Sequence, residues 1–201
     1  MVRHDIIIAG VGGQGILTIS EVLGRAALAA GLRVKQSEVH GMAQRGGAVH
    51  SHFRMAKGEI HSDVIAHGRA GMILGMEPME ALRYLKWLSH GGWLIANTEP
   101  VENIEDYPDP EELYGEIRKR KRSLLFDATA VAREAGSPRA LNMAMLGAAS
   151  PFLPIEAELL ERAIAEQFQS KGSKVVDANI RAFRSARELA MSRKQETTAE
   201  P

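Results

Sequence analysis

Up to residue 129, short apolar runs alternate with amphipathic segments, the pattern of strands and helices in turn. Three consecutive isoleucines within residues 5–10 predict a first strand that is buried on both faces of a parallel sheet. Apolar residues then recur at helical spacing between residues 14 and 30 and predict a helix with one buried face. The chain therefore opens with a strand, a glycine turn and a helix.

Strand-like and helix-like segments continue in this order as far as residue 129. We predict strands at 32–39, 48–55, 59–61, 71–76, 93–97 and 123–129, and helices at 77–88 and 111–119. The two glycines at 91–92 are expected to end the first of these helices. This order of strands and helices predicts a three-layer α/β/α protein. We expect a mostly parallel sheet, a Rossmann-like start and a helical C-terminal part.

The length and composition indicate one ordinary globular domain. A chain of 201 residues suits a single domain, which we place at 1–192. Residues 193–201 have no apolar face and are expected to form a disordered tail. The 25 basic and 25 acidic residues balance, so we expect no nucleic-acid partner. The apolar segment near the N-terminus is too short for a signal peptide or a membrane span, so we expect a cytoplasmic protein without a membrane partner.

The chain contains no cysteine. This excludes disulfides, thiol nucleophiles, thiolate zinc sites and cysteine-ligated iron–sulfur clusters held by the chain itself. Any such chemistry would need a partner.

Residues 10–15, GVGGQG, match the glycine fingerprint of dinucleotide-binding folds. A helix that starts directly after the turn would present free N–H groups and a positive dipole end to a phosphate. The sequence leaves three interpretations open: an NAD or FAD site with Glu38 at the ribose, a site for another phosphate ligand, or a structural turn. The candidate phosphate-facing residues are Gly12, Gly13, Gln14 and Gly15.

A second candidate segment follows the predicted second strand. It combines carboxylate, imidazole, amide and guanidinium groups with glycines, and Arg45 is suited to a bidentate grip on carboxylate or phosphate. His40 beside Glu38 suits a tuned acid or base, and equally a hydrogen-bonding loop residue. The residues that we expect to face a partner or substrate are Glu38, His40, Gly41, Gln44, Arg45, Gly46 and Gly47.

Four segments carry a family resemblance. They are GVGGQGILTISEVLGRAAL, SEVHGMAQRGGAVHSHFR, MEPMEALRYL and DATAVAREAGSPRALNMAMLGA. In their order and spacing they resemble the gamma-type domain of 2-oxoacid:ferredoxin oxidoreductases, over roughly residues 4–190. More narrowly, SEVHGMAQRGG is similar to the beta subunit of indolepyruvate:ferredoxin oxidoreductase.

The resemblance implies a division of labour between subunits. The family oxidatively decarboxylates 2-oxoacids on thiamine diphosphate, passes electrons through iron–sulfur clusters to ferredoxin and transfers the acyl group to coenzyme A. This chain has neither a GDG…N thiamine diphosphate segment nor a cysteine. The resemblance therefore implies a large alpha-type partner that carries both cofactors and meets ferredoxin, while this chain binds no cofactor alone and helps to accommodate coenzyme A or the substrate. A stand-alone NAD- or FAD-binding oxidoreductase and a non-catalytic scaffold subunit are the alternatives.

Four further features have structural explanations. His50 and His52 share one face of a predicted strand, and we expect no metal site, because a metal needs at least three converging ligands. Glu77 and Glu80 fall in a helical first turn, where we expect capping. Asp127 either caps the following helix or faces a ligand. The five cations at 118–122 are expected to lie solvated at a helix end.

Overall fold

The computed structural model describes residues 3–41 and 46–199. Within these ranges a central sheet is built from β1 (Arg3–Val11), β2 (Arg33–His40), β3 (Ala48–Ala56), β4 (Ala70–Gly75), β5 (Leu88–Asn97) and β6 (Ser123–Phe126). The strand order is β2-β3-β1-β4-β5-β6. β3 runs antiparallel to both of its neighbours, whereas β1, β4, β5 and β6 pair in parallel. The mostly parallel sheet predicted from the sequence is confirmed.

Helices cover both faces of the sheet. They are α1 (Ile16–Ala29), α2 (Pro78–Arg83), α3 (Pro110–Arg118), α4 (Ala128–Glu134), α5 (Leu141–Ala149), α6 (Ala157–Phe168) and α7 (Ser173–Ala199). Ile6 and Ile8 of β1 pack with α1 and α4–α7, while Ile7 and Ala9 pack with α2 and α3. Successive residues of a strand point to opposite faces, so the isoleucine run fills both cores of a three-layer α/β/α fold.

The direction of the strands brings the two candidate segments together. Because β1 and β2 are both antiparallel to β3, they point the same way and end at the same edge of the sheet. β4, β5 and β6 end there too, and we call this the carboxyl edge. The turn after β1 and the connection from β2 to β3 both lie at this edge, where ligands of open α/β sheets bind.

Residues 59–61 do not form the strand expected from the sequence. The chain between β3 and β4 is instead held by a buried arginine. The guanidinium Nη1 of Arg54 donates 2.9 Å hydrogen bonds to the backbone oxygens of Ser62 and Val64. The side chain of Ile65 is buried against the sheet. These contacts hold residues 62–65 against the sheet although they form no strand.

The glycines at 91–92 lie inside β5 and do not separate a helix from a strand, which corrects the expectation. α2 ends at Arg83 and is followed by a 3₁₀ turn at Leu85–Trp87. The pairing of β4 with β5 shifts register between Ala70 and Met72. A Cβ at Gly92 would lie 3.0 Å from the backbone oxygen of Ala70, so glycine is favoured at this irregularity.

Residues 193–199, expected to be disordered, continue α7 as a helix. Hydrogen bonds from two basic side chains, rather than an apolar face, attach the start of this segment to the rest of the protein. The guanidinium of Arg193 donates to the backbone oxygens of Ser123 and Lys121 at 3.1 and 3.3 Å, and the Lys194 ammonium donates to that of Pro151 at 2.6 Å. None of the helices in the described ranges has the length and apolar character needed to cross a membrane.

Candidate functional site

An open cleft of about 430 Å³ lies at the carboxyl edge. Its polar wall combines both segments singled out in the sequence, and Val11, Ile16, Leu17 and Val49 supply its apolar wall. The predicted site residues that line it are Gly12, Gly13, Gly15, Glu38 and His40. The tertiary structure therefore unites these parts of the two candidate segments in one cavity.

The side chain of Gln14 turns away from the cleft and supports the turn from within. Its Oε1 accepts a 2.7 Å hydrogen bond from the backbone N–H of Val11, and its Nε2 lies 3.4 Å from the backbone oxygen of Met76. The sequence placed Gln14 among the phosphate-facing residues, but its amide joins the turn to the end of β4.

The N-terminus of α1 faces the cleft without a capping side chain. Gly15 is its N-cap residue in a left-handed conformation, and no acidic residue lies in the first turn. The N–H of Thr18 bonds to the backbone oxygen of Gly15 at 3.0 Å, and no side chain caps the N–H groups that precede it in the first turn. Gly13 and Gly15 present no side chain that would shield this backbone. Such an arrangement can receive a phosphate or carboxylate.

The glycine pair before β3 closes onto the turn through the backbone. The N–H of Gly12 donates a 2.8 Å hydrogen bond to the oxygen of Gly47, and the N–H of Gly46 lies 3.5 Å from the oxygen of Gly12. Gly41 is exposed at the end of the first described range. Gln44 and Arg45, two further predicted site residues, lie outside the described residues.

Asn103, which no sequence pattern indicated as a site residue, also contacts the glycine pair Gly46–Gly47. Its side-chain Nδ2 donates a 2.6 Å hydrogen bond to the backbone oxygen of Gly46. The two residues are 57 positions apart, in different loops, so no local pattern could have connected them.

Glu38 and His40 lie on the same face of β2 but differ in exposure and in hydrogen bonding. Glu38 is half-buried, and its Oε2 is buried without a hydrogen-bond partner among the described residues. His40 is exposed, with its ring Nδ1 3.1 Å from the backbone oxygen of Gly41. A carboxylate with one unpartnered oxygen therefore belongs to a residue that lines the same cleft as the N-terminus of α1.

The strand order argues against the dinucleotide interpretation. In a Rossmann fold the second strand is the neighbour of the first, so its terminal acidic residue lies close to the glycine turn. Here β3 lies between β1 and β2, which separates the two strands by about 10 Å, since adjacent strands lie about 4.8 Å apart. Glu38 therefore does not stand where a ribose-binding carboxylate stands in that fold.

The two histidines of β3 are packing groups. The ring of His50 lies 4.5 Å from the ring of Tyr84, and Nδ1 of His52 accepts a 3.2 Å hydrogen bond from the N–H of Ile65. Burial, assisted by a charge on His52, lowers the pKa of His50 to about 4, and burial also lowers that of His52. No group of three potential metal ligands occurs in the described part of the chain.

The carboxylates at the start of α2 include the predicted cap. Glu77 is the N-cap residue, and its Oε1 accepts from the N–H of Glu80. Its other oxygen, Oε2, accepts a 2.5 Å hydrogen bond from the hydroxyl of Tyr107. Glu80 is fully buried beside Arg83, whose Nε donates to it at 2.9 Å. Burial raises the pKa of Glu80.

Asp127 takes the capping role, one of the two that the sequence left open, and the cationic run is exposed as expected. The carboxylate of Asp127 accepts a 2.7 Å hydrogen bond from the N–H of Ala130 and caps α4. Residues 118–122 are exposed at the end of α3. Lys119 pairs with Glu116, and the Arg122 guanidinium donates to the backbone oxygen of Gly91 at 2.5 Å.

The fold and the cleft define an α/β protein with a glycine turn and an uncapped helix N-terminus at the carboxyl edge of its sheet. Comparison with known proteins gives its family. A profile described as "Pyruvate ferredoxin/flavodoxin oxidoreductase" matches residues 5–189. The chain belongs to this family, and the resemblance recognised in its motifs is confirmed.

Three relatives are similar along nearly their whole lengths. "Indolepyruvate oxidoreductase subunit IorB" of Archaeoglobus fulgidus is 38% identical over 199 residues, covering 94% of this chain and 96% of the relative. The IorB subunit of Methanothermobacter thermautotrophicus is 39% identical over 191 residues, covering 90% and 95%. "2-oxoglutarate synthase subunit KorC" of the same organism is 32% identical over 196 residues, covering 94% and 96%.

Two solved structures have the same fold. The pyruvate oxidoreductase subunit PORC of Thermotoga maritima has a TM-score of 0.68 at 25% identity, covering 94% of this chain and 97% of that one. The 2-oxoglutarate:ferredoxin oxidoreductase of Magnetococcus marinus, with 2-oxoglutarate, coenzyme A and succinyl-CoA bound, has a TM-score of 0.74 at 20% identity. The match covers 96% of this chain but only 32% of that longer one.

Proposed function

We propose that this chain is the small subunit of a thiamine diphosphate-dependent 2-oxoacid:ferredoxin oxidoreductase that acts on indolepyruvate or another arylpyruvate. One observation supports this choice of substrate. Over nearly its full length, the chain is 38% and 39% identical to two chains named indolepyruvate oxidoreductase subunit IorB. The reaction is oxidative decarboxylation: the 2-oxoacid and coenzyme A become an acyl-CoA, carbon dioxide and a proton, and two electrons reduce two ferredoxins.

The proposed division of labour rests on the family resemblance, and the composition of the chain supports it. The chain has no cysteine with which to hold an iron–sulfur cluster, and we assign the clusters and the transfer of electrons to ferredoxin to the large alpha-type partner that the family resemblance implies. The same subunit holds thiamine diphosphate. We infer that this chain binds no cofactor alone and acts neither on nucleic acid nor at a membrane. The cytoplasmic location expected from the sequence stays a prediction.

We assign to the cleft the task of receiving a phosphate of coenzyme A, or of the partner's thiamine diphosphate, at the N-terminus of α1. The support is chemical: the first turn lacks both a capping side chain and an acidic residue, and glycines leave its N–H groups accessible. Arg45 supplies a guanidinium for a phosphate or carboxylate in the same proposal. The turn at 12–15 and the loop at 40–47 then form the surface that faces the partner.

A matched pair of substitutions at Leu17 tests the phosphate site. Leu17 lines the cleft in the first turn of α1 and is 51% exposed. Glutamate there is favoured by the helix dipole, so Leu17→Glu should fold, but its charge repels a bound phosphate. In the reconstituted two-subunit enzyme we expect Leu17→Glu to raise the KM for coenzyme A about tenfold, and the neutral Leu17→Gln to leave it within about twofold. Equal KM values for the two variants would contradict the coenzyme A assignment.

Other measurements test the remaining parts of the proposal. Arg45→Ala should lower turnover or raise a Michaelis constant in the same assay. Unchanged turnover and unchanged Michaelis constants for both substrates would show that Arg45 has no role in the proposed site.

Micromolar binding of NAD or FAD to the isolated chain would favour a stand-alone oxidoreductase. A large subunit that is fully active without this chain would favour a scaffold.

A further inference from the structure

Residues 98–109, which connect β5 to α3, form a strap over the carboxyl edge. The strap starts at the end of β5 and contacts Gly46, which precedes β3. Since β1 and β4 lie between these two strands, the strap crosses the ends of both. The strap therefore lies at the carboxyl edge, where the cleft opens.

Both ends of the strap are anchored independently of the cleft. At its start, the carboxylate of Glu99 accepts a hydrogen bond from the Thr129 hydroxyl. At its end, the hydroxyl of Tyr107 donates at 2.5 Å to the fully buried carboxylate of Glu77. Loss of a contact in the middle of the strap should therefore leave its course intact.

Asn103 makes the central contact. Its Nδ2 holds the backbone oxygen of Gly46 at 2.6 Å, and the next residue, Gly47, accepts the N–H of Gly12 at 2.8 Å. Gly12 lines the cleft. One side-chain amide on the strap is thus connected, through two short hydrogen bonds, to the backbone that forms the wall of the cleft.

We propose that Asn103 is a positioning residue, which holds the Gly46–Gly47 backbone against Gly12 and so sets the shape of the cleft for its ligand. Glycines have the widest choice of backbone conformations, so a glycine pair needs an external contact to stay in one of them. A preorganised site binds more tightly because less freedom is lost on binding. The identity of the ligand rests on the proposed function, whereas the positioning does not.

The test compares Asn103→Leu with Glu102→Gln. Leucine has the same branching and number of side-chain heavy atoms as asparagine but cannot donate to Gly46. Glu102 is an exposed neighbour on the same strap and serves as the control. In the full chain, amide hydrogen exchange at Gly12 should be at least about fivefold faster in Asn103→Leu than in the parent, with an unchanged melting temperature.

In the reconstituted enzyme, Asn103→Leu should raise the KM for coenzyme A about fivefold, with kcat and the KM for the 2-oxoacid within about twofold of the parent. Glu102→Gln should match the parent in both experiments. Unchanged exchange at Gly12 would overturn the positioning role, whatever the kinetics. Faster exchange with an unchanged KM for coenzyme A would leave the positioning intact and instead contradict coenzyme A as the ligand of the cleft.

Discussion

The side-chain amide of Asn142 donates a 3.2 Å hydrogen bond to the backbone oxygen of Gly15. The bond joins the first turn of α5 to the residue that starts α1, 127 positions earlier in the chain. Gly15 has a φ of +76°, and a Cβ on it would overlap Nδ2 of Asn142. Its left-handed conformation therefore favours glycine, and a Cβ would displace Asn142 from its hydrogen bond.

We expect Gly15→Ala to lower the free energy of unfolding by more than Gly31→Ala. Gly31 has a similar φ of +73°, but a Cβ added there would meet no atom within 4 Å, so its substitution costs only the left-handed strain of about 1–2 kcal/mol. Gly15→Ala adds the clash with Asn142. Urea denaturation measures both losses, and equal values would show that the clash relaxes without cost.

The bond between Tyr107 and Glu77 should contribute measurably to stability. Tyr107→Phe leaves the Oε2 of a fully buried carboxylate without its donor, which costs about 1–3 kcal/mol. Tyr114→Phe is the matched control, because that hydroxyl donates at 2.5 Å to the neutral backbone oxygen of Thr98. We expect the smaller loss of unfolding free energy for Tyr114→Phe. A reversed order would contradict the anchoring role of Glu77.

The ion pair between Arg54 and Asp5 should be critical for folding. Two hydrogen bonds, at 3.0 and 2.8 Å, join the guanidinium to the carboxylate, and the side chains are only 10% and 8% exposed. Arg54→Met leaves the Asp5 carboxylate buried and unpaired, and we expect a loss of about 3–5 kcal/mol in chemical denaturation.

The control for this pair is an exposed one. Arg184 lies 2.6 Å from Glu161 with 60% of its side chain exposed. Arg184→Met should cost no more than about 1 kcal/mol, because solvent screens such pairs. Similar losses for Arg54→Met and Arg184→Met would show that burial of the first pair has no energetic consequence.

The half-buried imidazole of His50 predicts how stability depends on pH. Its pKa is lowered to about 4 from an ordinary value of 6.5, mainly by burial. Between these two values the unfolded chain binds a proton more readily than the folded protein does. The contribution of His50 to stability is therefore complete above pH 6.5 and is lost as the pH falls from 6.5 towards 4.

His50→Phe keeps an aromatic ring against Tyr84 but cannot titrate. We expect its melting temperature to fall less than that of the parent between about pH 7 and about pH 4.5. Thermal unfolding at several pH values gives both slopes. The same slope in parent and variant would mean that other groups control the dependence.

The sequence by itself determined most of the local elements and the family of this protein. The isoleucine run, the glycine turn and the helical spacing after it are short-range patterns, and they correctly predicted β1, α1 and a layered α/β fold. Caps such as Glu77 and Asp127 were also predictable, because a cap acts within three residues of its own position.

The tertiary structure alone decided what meets at the carboxyl edge. The insertion of β3 between β1 and β2, which moves Glu38 away from the position of a ribose-binding acid, depends on strand pairing between distant segments. The inward turn of Gln14 and the reach of Asn103 to Gly46 depend on it as well. Local periodicity indicates which face of a helix or strand is buried. It does not indicate which helices and strands become neighbours, because long-range packing determines that.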